Sequence, residues 1–191
     1  MIPTFHDPHA RQDNVVENYH GTLAADPYRW LEDAEAEETQ AFAAAQHTLT
    51  RQYLDAIPAR ASYRARLTAL WDHDKYSVPY RHGGRFYFFK QSGLQNQPVL
   101  YQQTDLTGEA APILDPNTLS HDGTVALTTL AFSEDGTLLA YGLSTSGSDW
   151  QELSIRHLDS GEEEPEVIRW YKFAGIAWRH DNRQGHGAGF R

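Results

Sequence analysis

With no cysteine in the chain, serine and histidine are the side chains best placed to do nucleophilic chemistry. A serine hydroxyl attacks only when a base, an orienting acid and oxyanion donors stand within hydrogen-bond reach. One large class of hydrolases holds such a serine in the word G-x-S-x-G, on a strained strand-to-helix turn. That word does not occur here. The nearest approach, Gly142-Leu143-Ser144-Thr145-Ser146-Gly147, has the wrong spacing and ends a strand-like run in a turn-rich stretch. Ser144, Ser146 and Ser148 therefore read as loop or strand-end hydroxyls, and no residue is assigned a catalytic role.

The histidines offer no substitute. His6, His9, His20, His47, His73, His82, His121, His157, His180 and His186 show neither HExxH nor any other metal-ligand spacing. The His6-Asp7-Pro8-His9 pair reads as a plain terminus, so neither a metal nor a cofactor is expected. Glu162-Glu163-Glu164 and the group Glu35, Glu37 and Glu38 are solvated loop and helix-end charges rather than a paired-carboxylate site. Among the aromatics, Trp150 reads as a packing residue, and Phe173, from the pattern alone, as an apolar plug opening an inner strand.

The elements that would position these residues fall into two kinds. From about Asp26 to Trp71 the chain is helical in character. Glu35 to Ile57 contains no Gly or Pro and is rich in Ala, Glu and Gln, which lose little entropy in a helix. Phe42, Leu49, Tyr53 and Ile57 share one face, and the early glutamates suit the positive end of the helix dipole. Pro58 ends this helix. A second begins near Ala59, with Tyr63, Leu67 and Leu70 on one side and Trp71 beside them. A lone pair of helices buries little, so these stripes are expected to need a further surface.

Beyond Trp71 come short runs of β-branched and aromatic residues divided by Gly, Asp, Asn and Pro. Strands are predicted at 86–90, 98–103, 128–133, 138–144, 152–158 and 166–170. The phrase LAFSEDG at Leu130–Gly136 returns as IAWRHDN at Ile176–Asn182, about 46 residues later. The strand, loop, strand, turn and strand order of Leu138–Ile168 likewise echoes Phe86–Leu114. A repeat of roughly 40 to 50 residues with four short strands is the mark of a β-propeller blade. A closed ring generally has at least four blades, and only about two and a half fit between Lys75 and Arg191. The chain is thus expected either to be a fragment or to assemble with something that supplies the rest.

Composition agrees with a packed protein: 40% of residues are hydrophobic and 12% aromatic. Formal net charge is -10, from 26 acidic against 16 basic residues without a basic cluster, which argues against nucleic acid and anionic membrane as partners. The stretch Met1–Ala10 has no basic start and no long apolar run, so a soluble, cytoplasmic protein is expected.

Several phrases resemble the prolyl oligopeptidase family, in order and spacing. They are DPYRWLED at Asp26–Asp33, GLQNQPVLY at Gly93–Tyr101, LDPNTLSHDGTVAL at Leu114–Leu127, AFSEDGTLLAYGLSTSGSDW at Ala131–Trp150 and KFAGIAWRHDN at Lys172–Asn182. The resemblance implies a serine endopeptidase that cuts short peptides after proline. Its α/β-hydrolase domain would combine N-terminal helices with the C-terminal part of the chain, and a seven-bladed propeller would lie between them and restrict access. Residues 1–72 would then be the N-terminal segment of the hydrolase domain and 73–182 a partial propeller. The fold class implied is mainly β: an N-terminal α-helical hairpin, then the first two to three four-stranded blades of an incomplete propeller. The family's triad belongs to the C-terminal segment, beyond Arg191, so the chain alone is expected to be inactive. Its implied partners are short proline-containing peptides and a complementary C-terminal hydrolase segment. By the same resemblance, Phe173 matches a propeller aromatic that lines the substrate pocket.

After His180-Asp181-Asn182 both the repeat and the family lead one to expect Gly and an aromatic strand, but the chain reads RQGHGAGFR. Residues 183–191 are taken as an aberrant tail, weakened as a strand by its glycines, with a shifted frame or truncated gene near Arg183 as the expected cause. The competing reading is a stand-alone interaction module that closes its open blade stack by self-association or by binding another chain.

Overall fold

The computed structural model describes residues 6–180 and the backbone of 185–187. The chain divides into two compact units, Met1–Leu67 and Thr68–Arg191. In the first, β1 (Val16–Tyr19) and β2 (Thr22–Ala25) form an antiparallel hairpin. His20 and Gly21 turn it, both at positive φ (53° and 96°), as a two-residue hairpin turn of the mirror-image type requires. This hairpin lay unread in the sequence: with both faces largely exposed, its residues have no reason to alternate between apolar and polar.

The DPYRWLED phrase forms a 3-10 turn at Arg29–Glu32 that ties neighbouring segments together. Trp30 donates its indole N–H to the Arg11 carbonyl (2.8 Å) and meets Phe42 edge-on, centroids 5.8 Å apart. Arg29 binds Asp26 and Glu17, and its hydrogen bond, aided by that of Tyr19, holds the Glu17 carboxyl down at about 2. Helix α1 (Glu37–Asp55) begins with the expected acidic turn, and Glu38 takes a two-pronged bond from Arg11. After the break at Pro58, α2 runs over Arg60–Trp71 and straddles the boundary between the units. Neither helix buries a residue fully. Tyr53, Ile57, Tyr63, Leu67, Leu70 and Trp71 stay exposed, as expected of stripes lacking the surface they need.

The second unit is built from blades. In the first sheet, β5 (Arg85–Gln91) pairs on one side with β6 (Val99–Gln103), which pairs with β7 (Ala111–Leu114). Its other side is shared by β3 (Lys75–Tyr76) and β4 (Tyr80–His82), two short strands not foreseen from sequence. Pro79 lies in the gap between them and has no N–H to donate. Ser77 bridges part of that gap, its N–H bonding the Phe89 carbonyl (2.9 Å) and its hydroxyl accepting from the Phe89 N–H (2.8 Å). The second sheet is a meander of β8 (Val125–Phe132), β9 (Leu138–Thr145), β10 (Gln151–His157) and β11 (Ile168–Tyr171). A third begins with β12 (Ile176–Trp178), which pairs with β13 (Gly185–Gly187). The glycine-rich tail therefore does carry strand backbone at 185–187, because sheet pairing needs no side chain. The rest of 183–191, with Asp181 and Asn182 of the repeat, lies outside the described residues.

Period-2 alternation builds the core. Tyr87 and Phe89 of β5 share a face with Leu100 and Leu114, and this face packs with Leu130, Phe132, Leu139, Tyr141 and Leu143 of the second blade. Burial pushes the Tyr80 and Tyr141 phenols up to about 12. Phe132 sits among His82 (4.8 Å), Tyr80 (5.7 Å) and Tyr87 (4.4 Å). Its repeat counterpart Trp178 likewise reaches back one blade, donating its indole N–H to the Ala131 carbonyl at 3.0 Å. Glu134 and His180, also equivalent in the repeat, meet at 2.7 Å. At the β8–β9 turn, Asp135 accepts from the Ser133 hydroxyl (2.7 Å) and from the N–H and hydroxyl of Thr137 (3.0 and 2.9 Å). These bonds, that of Ser133 first, hold its carboxyl below the usual range. Asp105 and Asp122 make similar turns with Thr107 and Thr124. Among the described residues the sheets do not close into a ring. No helix among them is long and apolar enough to cross a membrane.

Candidate functional site

Two irregularities at one end of the second blade bring exposed aromatic residues together. The β10–β11 ladder slips between the pairs Gln151↔Tyr171 and Leu153↔Ile168, so β11 carries one residue more than its partner. Such a bulge re-aims a side chain, and its left-handed position is ordinarily given to glycine. Here Trp170 stands at φ 60° and is 78% exposed. Three residues on, Phe173 is also left-handed, at φ 49°, and equally 78% exposed. Bulky residues in this region cost on the order of 1–3 kcal/mol each and persist only where their surroundings enforce them.

The enforcement is visible. Between the two, Tyr171 is buried, and its hydroxyl donates to the Ala174 carbonyl, closing the loop on itself. Burial raises the Tyr171 phenol above its ordinary range. On the facing loop, the Ser144 hydroxyl donates to the Ser148 carbonyl and the Ser148 hydroxyl accepts from the Trp150 N–H (3.1 Å). The serines of STSGSDW are thus committed to building a turn, as the sequence implied, and that turn presents Trp150. Trp150 is half-exposed and meets Trp170 edge-on, centroids 5.8 Å apart and planes 84° apart. Lys172 links the two loops: its ammonium lies 5.0 Å from the Trp150 ring centre and 4.8 Å from that of Phe173, with Asp149 at 3.7 Å.

The arrangement offers three accessible ring systems and one cation, and it contains no nucleophile paired with a base. Its chemistry is that of stacking and cation–π contact, suited to holding a ligand rather than transforming one. Trp150 is a surface residue where sequence reading made it packing. Phe173 stands in the loop before β12 rather than plugging that strand. Trp170 and Lys172 were missed, because nothing in a sequence marks a bulge whose left-handed residue is not glycine. In the second unit, packing within and between blades accounts for the remaining aromatic clusters. Among the described residues no three His, Asp or Glu side chains are placed to share a metal ion.

A helical segment followed by successive antiparallel blades, the second carrying an exposed aromatic corner, defines an open β-propeller section. Residues 7–184 match the N-terminal β-propeller domain of prolyl oligopeptidase. The chain belongs to the prolyl oligopeptidase family. It is 39% identical to a prolyl endopeptidase of Elizabethkingia miricola, over 91% of this chain and 24% of that protein. It is 36% identical to prolyl oligopeptidase A of Galerina marginata, over 92% of this chain and 27% of that one. Among solved structures, a prolyl endopeptidase superposes with a TM-score of 0.79 at 37% identity, over 92% of this chain and 26% of its own. Prolyl oligopeptidase B of Galerina marginata, bound to a 25mer macrocyclization substrate, gives 0.73 at 27% identity, over 94% and 28%. The chain therefore spans about a quarter of the length of the curated relatives it matches.

Proposed function

We propose that this chain supplies the N-terminal helices and first blades of a serine endopeptidase that cleaves short peptides after proline, and that alone it hydrolyses none. The observation that carries the reading is the match along residues 7–184 to the propeller section of enzymes named for prolyl cleavage. The lack of any G-x-S-x-G word supports the second half. On this reading residues 1–72 belong with the hydrolase domain, 73–182 are blades, and the catalytic half is a complementary C-terminal segment. Phe173 contributes to the surface that receives a proline-containing peptide; its exposed ring and the strained backbone that holds it out support that role. A cysteine-free chain suits the reducing cytoplasm, and fractionation of cells expressing it is the check.

The test is turnover of a chromogenic Gly-Pro amide by the purified 191-residue chain. We expect none. Hydrolysis that copurifies with the chain and is blocked by covalent capture of one of its serines with a fluorophosphonate probe would refute the assignment.

A further inference from the structure

We propose that Lys172 is the positioning residue of the peptide-contact surface, clamping Trp150 and Phe173 so that Phe173 meets a proline-containing peptide with its ring already placed. The inference rests on the reading of Phe173 given above and adds the device that makes it effective. An exposed phenylalanine on a loop samples several rotamers, and fixing one on binding costs free energy. Here the ammonium of Lys172 lies between two ring faces at nearly equal distances, 5.0 and 4.8 Å. Its anionic neighbour Asp149, at 3.7 Å, is at the loose end of ion pairing, so the positive charge remains available to the rings.

The backbone supports the same conclusion. Lys172 stands between buried Tyr171 and left-handed Phe173, within a loop closed by the bond from the Tyr171 hydroxyl to the Ala174 carbonyl. Its Cα is therefore fixed, while Trp150 is fixed independently by the serine turn on the facing loop. A cation anchored at one end and held between two rings at the other ties the loops together. The exposed tyrosine and tryptophan of α2, by contrast, stand on regular helix with nothing strained to present them.

The experiment uses the full chain and the peptide Ala-Gly-Pro-Phe, with NMR reading both the Phe173 ring signals and the affinity. Four forms are compared: unmodified, Lys172→Met, Lys172→Arg and Phe173→Leu. In the unmodified chain the Lys172 methylene protons next to the ammonium should be displaced to high field by the two rings, and peptide should perturb the Phe173 ring. Lys172→Met should collapse the Phe173 ring signals toward the shifts of a free phenylalanine and weaken binding about three-fold, while Lys172→Arg, which keeps a cation over both rings, should restore both. If Lys172→Met binds as tightly as the unmodified chain while Phe173→Leu binds more weakly, the clamp is refuted and the role of Phe173 survives. If neither Lys172→Met nor Phe173→Leu changes the affinity, or no peptide binds, both fall together.

Discussion

At the scale of single residues, the blades expose their packing through their tyrosines. Tyr80 and Tyr141 are pushed up to about 12 mainly by burial, with the phenol of Tyr87 adding to the first and Glu163 to the second. Folding here favours the neutral phenol. The stability so gained is complete below the unfolded value of about 10 and is lost as pH rises from there through the folded value. Ultraviolet titration of phenolate should accordingly show a late-ionising fraction. With ten tyrosines in the chain, Tyr80→Phe and Tyr141→Phe should each remove about a tenth of the signal, and remove it from the late phase. Loss from the main phase would mean that these rings do not lie in the inter-blade core. Residues are also where the sequence was hardest to read. The hydroxyls of Ser144 and Ser148 were legible as turn groups because their spacing fits no nucleophile. The corner they build was not, since Trp170 lies in a left-handed bulge and Phe173 in a left-handed loop that no local preference predicts.

Elements were more legible, and the reason is periodicity. The six strands predicted in the second unit all exist, their ends displaced by only a few residues, because alternating side chains face either a neighbouring blade or the other side of the sheet. The strands missed, β1 to β4, are at most four residues long, too short for a period of two to repeat convincingly. The seam between the blades makes a sharper demand than the strands do. The turn at Gly83 meets the turn at Asp135-Gly136 so closely that a Cβ on Gly136 would lie 2.4 Å from the Gly83 Cα, and one on Gly83 2.6 Å from the Asp135 carbonyl oxygen. Gly84, next along, is also left-handed at φ 81° but faces open space. Gly84→Ala should therefore cost only the backbone term, about 1–2 kcal/mol. Gly83→Ala and Gly136→Ala should cost about 1–3 kcal/mol beyond that, as the turns are forced apart. Urea unfolding measures each. The double variant should cost less than the sum of the singles, since a seam opened by one Cβ has room for the second. Strict additivity would mean the two turns do not touch.

At the scale of the molecule, the fold class was legible from the repeat, whereas the destination of the exposed stripe on α2 was not, since periodicity reports that a face is apolar without saying what meets it. Tyr63 and Leu67 are 69% and 55% exposed, so changing them removes almost no buried area. Tyr63→Gln and Leu67→Gln should each alter the stability of the chain by no more than about 0.5 kcal/mol, the usual range for surface positions. If the stripe instead receives the proposed complementary segment, the same substitutions act on assembly, where each ring or branched side chain taken out of water is worth about 1.5–3 kcal/mol. The two effects separate in one experiment. The chain is mixed with the C-terminal remainder of a prolyl endopeptidase from the same family, and turnover of the Gly-Pro amide is followed. The unmodified chain should restore activity, and the double variant should require at least ten-fold more chain to do so, with its urea midpoint unchanged. Sedimentation of the chain without the remainder closes the alternative. A defined oligomer dispersed by the same two substitutions would assign the stripe to self-association, and undiminished complementation by the variant would exclude it from the hydrolase contact.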